Sequence, residues 1–242
     1  MPTITRSLLE ALEKNTDYIQ IEDDGFSRIP PLQTLTPTEQ AFIIASSLHK
    51  TQKDKAGKPY KKHLISVSSY ARQIITLTFH NAPTQIREDL ERRAEIVGLL
   101  HDSLENIKVE EKGLVRPLMP ADLERLQISR ENINAIRMLT KKGKKSKRGS
   151  DDENRKEYIN GLKHLISPEE PQSPEHLKTL ITAVCVKMAD NINNSEIPRL
   201  IHNKIPTQED FARSITYLTS ASLLRETLNS LHTTLLNKLL PS

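Results

Sequence analysis

Tryptophan is absent from this chain, cysteine occurs once, and glycine only 7 times in 242 residues. A single cysteine excludes an intrachain disulfide and any zinc site built from several thiolates. Cys185 lies inside the apolar run Ile181-Thr182-Ala183-Val184-Cys185-Val186, so it reads as a buried small hydrophobe in a reducing compartment. Aromatic residues make up 4% of the chain. Scarce glycine and aromatics, set against abundant Leu, Ile, Glu and Lys, weigh against sheets and for helices. No apolar stretch approaches the roughly 20 residues needed to cross a bilayer. The opening Met1-Pro2-Thr3-Ile4-Thr5-Arg6 runs quickly to Glu10 and Glu13, so it does not read as a secretory signal. The expectation is a cytoplasmic, all-α protein with no membrane partner and no internal repeat.

The charge balance is mildly basic, +4 at pH 7. It suits a polyanionic ligand and is also ordinary for a globular chain. Residues 1–35 read as a short N-terminal extension, with Leu8, Leu9 and Leu12 in helical spacing before Pro30-Pro31, and residues 36–242 as one compact multi-helix bundle. The bundle opens on a clear signal: Thr36 as N-cap, Pro37 at the first helical position and Glu39 closing a capping box. Further helices are expected over about 61–78 and from Thr84 towards Asn106. Shorter ones follow near 120–126, 129–140 and from Asp151, with 107–120 as loop. The apolar segment from Leu177 to Ile192 has a β-branched centre, but its length and three-four spacing favour helix. A closing amphipathic helix from Thr207 carries Phe211, Ile215, Leu218, Leu224, Leu228, Leu231 and Leu235. Lys141 to Arg148 is a basic run, read as a solvated loop or as a phosphate-attracting lid.

Two clusters carry chemistry. His101-Asp102 ends an apolar helix, and adjacent helical residues point about 100° apart, so both can lean over one rim. Glu105, four residues after His101, shares its face. Asp190, with Asn194 one turn on, sits in an otherwise apolar helix, where a carboxylate is costly unless compensated; a divalent cation is a common compensator. With His63, near the start of its own helix, the set becomes two imidazoles and two carboxylates from three helices. That donor set suits Mn²⁺, Fe²⁺ or Zn²⁺, and Glu105 would be placed to accept a proton from water. Each piece alone has a plainer reading: a histidine capping a helix end, an aspartate in an ion pair, a surface histidine. His49, His80, His164, His176, His202 and His232 read as solvent or packing residues.

Four segments in order resemble the hydrolase domain of the RelA/SpoT family within the HD phosphohydrolases, nearest in size to its single-domain small alarmone hydrolases. They are His49 and Gln52 followed by Asp54-Lys55-Ala56-Gly57-Lys58-Pro59-Tyr60 and His63; Leu99-Leu100-His101-Asp102-Ser103-Leu104-Glu105-Asn106; Asn154-Arg155-Lys156; and Val186-Lys187-Met188-Ala189-Asp190 with Asn194. The resemblance covers roughly residues 36–205. It implies an HD-type helical fold and a Mn²⁺ ion held by His63, His101, Asp102 and Asp190. It further implies Glu105 and Asn106 at the catalytic positions, Lys55 and Asn194 on the nucleotide, and removal of the 3′-pyrophosphate of ppGpp.

Three positions depart from the family pattern. Asp54 replaces a base-stacking arginine, reversing the charge. Asn106 replaces an acid and can hydrogen bond but not act as a base. Leu64 stands where proline is usual. The alternative is therefore a degenerate module that binds a nucleotide or partner without cleaving it. Nucleic-acid binding through Lys141 to Arg148 has little behind it, because no aromatic residues interleave the charges.

Overall fold

A computed structural model describes residues 2–14, 34–54, 56–140, 151–171, 173–196, 198 and 205–239. The fold is predominantly α-helical, as the composition predicts. In chain order the elements are β1 (Thr3–Thr5), α1 (Arg6–Lys14), α2 (Pro37–Leu48), α3 (Lys61–Thr78), α4 (Thr84–Leu100) and α5 (Ser103–Asn106). Then come β2 (Lys108–Glu111), β3 (Leu114–Pro117), α6 (Pro120–Arg125), α7 (Arg130–Leu139), α8 (Asp151–Gly161), α9 (Lys163–Ile166), α10 (Pro174–Ser195) and α11 (Gln208–Leu239). Among the described residues no helix is long and apolar enough to cross a membrane.

α2 begins as its sequence dictates. Thr36 Oγ1 accepts from the Glu39 backbone N–H at 3.3 Å, and Glu39 Oε2 accepts from the Thr36 N–H at 2.8 Å. α10 is the central element, capped by Ser173 with Pro174 in its first turn, and it packs against α3, α4, α7 and α11. Surrounded on several sides, it has no polar stripe to keep, which is why its β-branched residues read like a strand yet sit in a 22-residue helix. Leu177, Ile181, Val184 and Cys185 are fully buried there, and the Cys185 thiol donates to Ala71 O of α3. Burial pushes that thiol well above its ordinary pKa, so it is an inert packing group.

α3 and α4 meet at unusually close range. A Cβ on Gly98 would lie 2.7 Å from Ser68 Cα, so only glycine fits. Ser68 Oγ also donates to Glu95 O at 3.0 Å. α4 is fastened to α10 by an ion network in which Asp89 accepts from Lys178 Nζ and Arg93 Nε, both at 3.0 Å.

Three expectations are revised. The stretch 107–120 is not all loop: β2 and β3 pair antiparallel, Lys108 opposite Pro117, around a tight turn with Lys112 and Gly113 at φ 52° and 78°. Positive φ at both central positions matches the right-handed twist of a hairpin. Inside the stretch read as an extension, β1 pairs parallel to β2 while Ile4, Leu9 and Leu12 join the core. In α11 the apolar residues do not share one buried stripe. Leu224, Leu228, Leu231 and Leu235 are buried, but Phe211, Ile215 and Leu218 are each about half exposed. The first half of that helix buries Ser214 and Ser220 instead, and a Leu-spacing argument does not see that switch of face. The basic run Lys141 to Arg148 lies outside the described residues.

Gly98→Ala is expected to cost about 1–3 kcal/mol through overpacking against Ser68, read as a lower midpoint in urea unfolding. The Asp89 network carries a pH signature. Burial pushes the Asp89 carboxyl up, but Lys178 and Arg93 outweigh it and hold its pKa below the ordinary value. Its stabilisation is therefore present above the unfolded-state pKa near 3.8 and is lost as pH falls through the lower folded value. Asp89→Asn should thus cost about 1–2 kcal/mol at pH 7, with the gap to wild type closing below pH 4 in thermal melts.

Candidate metal centre

The site forms where α3, the α4–α5 junction and α10 converge. His63 leaves the first turn of α3, His101 caps the C-terminus of α4, Asp102 precedes α5, and Asp190 faces inward from α10. His63, His101 and Asp190 are each buried, and their ligand atoms lie within 4.8 Å of one another. Asp190 Oδ1 is 3.5 Å from His63 Nε2 and 3.7 Å from His101 Nε2. Asp102 Oδ2 completes the ring at 3.5 Å from His101 Nε2 and 4.0 Å from His63 Nε2. His63, His101 and Asp190, spread over 128 positions of the sequence, thus form one cluster, with Asp102 beside both of its histidines.

Hydrogen bonding fixes which imidazole nitrogens carry protons. His101 Nδ1 is 2.8 Å from Gly98 O, a carbonyl that can only accept, so Nδ1 is the donor and, in the neutral ring, Nε2 is bare. His63 Nδ1 is 2.7 Å from Asn193 Oδ1, and the Asn193 amide is oriented by Nδ2 donating to Glu196 Oε1 at 3.2 Å. Nδ1 donates there too. Both bare Nε2 lone pairs therefore point at carboxylates that also only accept. His101 Nε2 is fully buried and has no hydrogen-bond partner among the described residues. Acceptors facing acceptors in a buried site repel unless a cation lies between them. Ligands about 2.0–2.2 Å from a shared ion stand about 3.0–3.6 Å apart; the two separations of 3.5 Å fall in that range, and those of 3.7 and 4.0 Å are somewhat longer. The residues present could hold a divalent metal ion, and the donor set of imidazole and carboxylate suits a first-row transition metal without singling one out.

The surroundings hold these ligands in place. Lys187 Nζ, one turn before Asp190 on the same helix, donates to Asp190 Oδ2 at 2.8 Å, while Asn194 Nδ2 donates to Oδ1 at 2.6 Å. Burial works against ionising Asp190, but the Lys187 ammonium, which also donates to it, outweighs that penalty and holds its carboxyl well below the ordinary range. Lys187 is itself buried; Asp190 and the nearby Tyr158 outweigh the burial penalty and keep it protonated. For Asp102, burial and the neighbouring Asp190 work against ionisation, while the hydrogen bond from the Tyr60 hydroxyl works for it. The Tyr60 hydroxyl donates to Asp102 Oδ2.

The other sequence-predicted residues divide. Glu105 and Asn106 form the single turn of α5 directly after Asp102, both partly exposed. Asn194 is tied to Asp190. Lys55 lies outside the described residues. Asp54 is occupied with its own loop, its Oδ1 accepting from Lys58 N at 2.8 Å. Of the histidines read as packing or solvent groups, His164 bonds to Met138 O and His232 to Asn81, as expected of structural residues, and His202 lies outside the described residues. Lys187, Asn193 and Tyr60 had no role in the sequence reading. Lys187 was within reach of it, since a lysine three residues before a buried aspartate shares its face. Asn193 was not, because its partner lies 130 residues away.

No family model matches the chain, and no curated protein matches it.

Metal loading should reveal itself in stability. Adding Mn²⁺, Zn²⁺ or Co²⁺ at about 100 times its Kd is expected to raise unfolding stability by about 2.7 kcal/mol, and His101→Gln to remove that gain. Asp190→Ala should also lose it and cost a further 3–5 kcal/mol or about that, measured without metal, because Lys187 is left buried and unpaired.

Proposed function

We propose that this protein is a Mn²⁺-dependent phosphohydrolase acting on a phosphate or pyrophosphate ester of a nucleotide in the cytoplasm, with removal of the 3′-pyrophosphate of ppGpp-type alarmones as the leading reaction. The observation that carries the proposal is the pair of bare Nε2 atoms turned towards two carboxylates. The four ordered segments resembling the RelA/SpoT hydrolase domain supply the substrate class. Charge supports it: Asp102 and Asp190 are ionised and Lys187 is protonated, leaving one net negative charge. Neutralised by a divalent ion, the centre becomes net positive, which favours an anionic ligand over a neutral one.

A divalent ion bound here supplies Lewis acidity, lowering the pKa of water and drawing charge from a phosphoryl group. The chain's own groups do the rest. Water attacks the 3′-side phosphorus, the bond from that phosphorus to the ribose 3′ oxygen breaks, and the 3′ oxygen takes up a proton from solvent as the nucleoside 5′-diphosphate and pyrophosphate separate. Glu105 takes the water proton, and Asn106 orients by hydrogen bonding. Lys187 and Asn194 hold Asp190 in register throughout. Asp54, with its carboxylate accepting from its own loop, leaves the base to other contacts, which favours a broadened base preference.

A second reading rests on Asn106 standing where an acid is expected: the site binds the nucleotide and does not cleave it.

Purified protein with Mn²⁺ and ppGpp should release pyrophosphate. Glu105→Gln should lower kcat by about 10²–10⁴-fold, and His101→Ala should abolish turnover. Saturable ppGpp binding by calorimetry without product, in protein shown to contain metal, would replace the hydrolase with the binding module.

A further inference from the structure

Asp190 is held by Lys187 and Asn194, but Asp102, the more exposed of the two carboxylates, receives its side-chain hydrogen bond among the described residues from Tyr60. What fixes Tyr60 is therefore what fixes Asp102. Tyr60 lies at the end of a loop strapped across itself: Gln52 N donates to His49 O at 3.0 Å, Tyr60 N donates to Gln52 O at 2.9 Å, and Lys53 bridges to Pro59. The Tyr60 ring stacks on the His49 ring, with centroids 5.3 Å apart and planes 26° apart. His49 Nδ1 in turn is 2.7 Å from Gln52 Oε1. One residue, Gln52, thus anchors both the backbone of Tyr60 and the ring beneath it.

His49 is costly for a plain packing residue. It is 2% exposed, and its Nε2 is buried with no hydrogen-bond partner among the described residues. A buried unpaired polar atom costs about 1–3 kcal/mol, whereas a phenylalanine would stack on Tyr60 without that cost. The imidazole adds a polar bond that locks the ring plane to Gln52, and through it the angle of the Tyr60 phenol.

We propose that His49 and Tyr60 are positioning residues for Asp102: the Gln52-anchored His49 ring orients Tyr60, and the Tyr60 hydroxyl turns Asp102 Oδ2 towards the bare nitrogens of His63 and His101. The inference rests on the metal-centre reading and assigns residues that lie outside the ligand set. Partners that orient a ligand typically change metal affinity by about 10–100-fold when removed.

The test is a titration of the full-length chain with Co²⁺, followed by its visible absorption, for wild type, Tyr60→Phe, His49→Phe and the double variant. Tyr60→Phe should weaken Co²⁺ binding by about 10–100-fold and shift the absorption band. His49→Phe keeps the stack but lacks the Gln52 bond; it should weaken binding by a smaller factor and shift the band in the same direction. The double variant should bind no more weakly than Tyr60→Phe alone, because His49 acts through Tyr60. Wild-type affinity and an unchanged band in Tyr60→Phe would overturn the proposal, as would losses that multiply in the double variant. Wild-type protein that binds no Co²⁺ would instead overturn the metal centre itself, and the positioning role with it.

Discussion

Two imidazole lone pairs and two carboxylates, pressed together in the core, set the terms for the rest of this molecule. Hydrogen bonds to Gly98 and Asn193 place the proton of each neutral ring on Nδ1, so all four groups then accept and none donates to another. A protein core tolerates such a cluster only where charge is balanced, and here the balance is incomplete. Among the described residues Lys187 offsets one carboxylate, and no second ammonium or guanidinium faces the other. The uncompensated charge and the proposed chemistry are one feature seen from two sides.

The backbone serves that convergence. His63 and His101 meet because α3 and α4 touch backbone to backbone at Ser68 and Gly98, a distance no side chain at Gly98 would allow. The carbonyl of that same glycine orients His101. Helix α10 brings Asp190, Lys187, Asn193 and Asn194 to the same place from a segment otherwise rich in buried apolar residues. Packing and chemistry thus share elements: His63 and Asp190 lie within helices, and His101 and Asp102 occupy the tight junction between α4 and α5.

Much of this was legible in the sequence. Periodicity and caps located α2, α3, α10 and the bounds of most other helices, because local signals such as Thr36-Pro37-Glu39 act within a few residues. His63, His101, Asp102 and Asp190 were nominated by residue type and by order, and the structure brings them together. What was not legible depends on distant partners. The β2–β3 hairpin lacks the alternation and the Asn-Gly or Asp-Gly turn that announce such elements; a Lys-Gly turn is a faint signal. The exposed Phe211, Ile215 and Leu218 look core-bound because helical spacing reports a face, not what covers it. Tyr60 and Asn193 act across 42 and 130 residues of chain, beyond any local pattern.

The C-terminal helix has a further meaning. Asn191, on α10 beside Asp190, donates to Ser220 of α11 and accepts from Tyr158 of α8, and the Tyr158 ring packs edge-on against Tyr217. The Tyr158 ring also lies 5.9 Å from Lys187 Nζ, whose ion pair with Asp190 is buried. Because charge interactions strengthen as the local dielectric falls, a helix that covers α10 on the side of Asn191 also lowers the polarity around the neighbouring Lys187–Asp190 pair, so α11 acts as electrical insulation while supplying none of the four ligands.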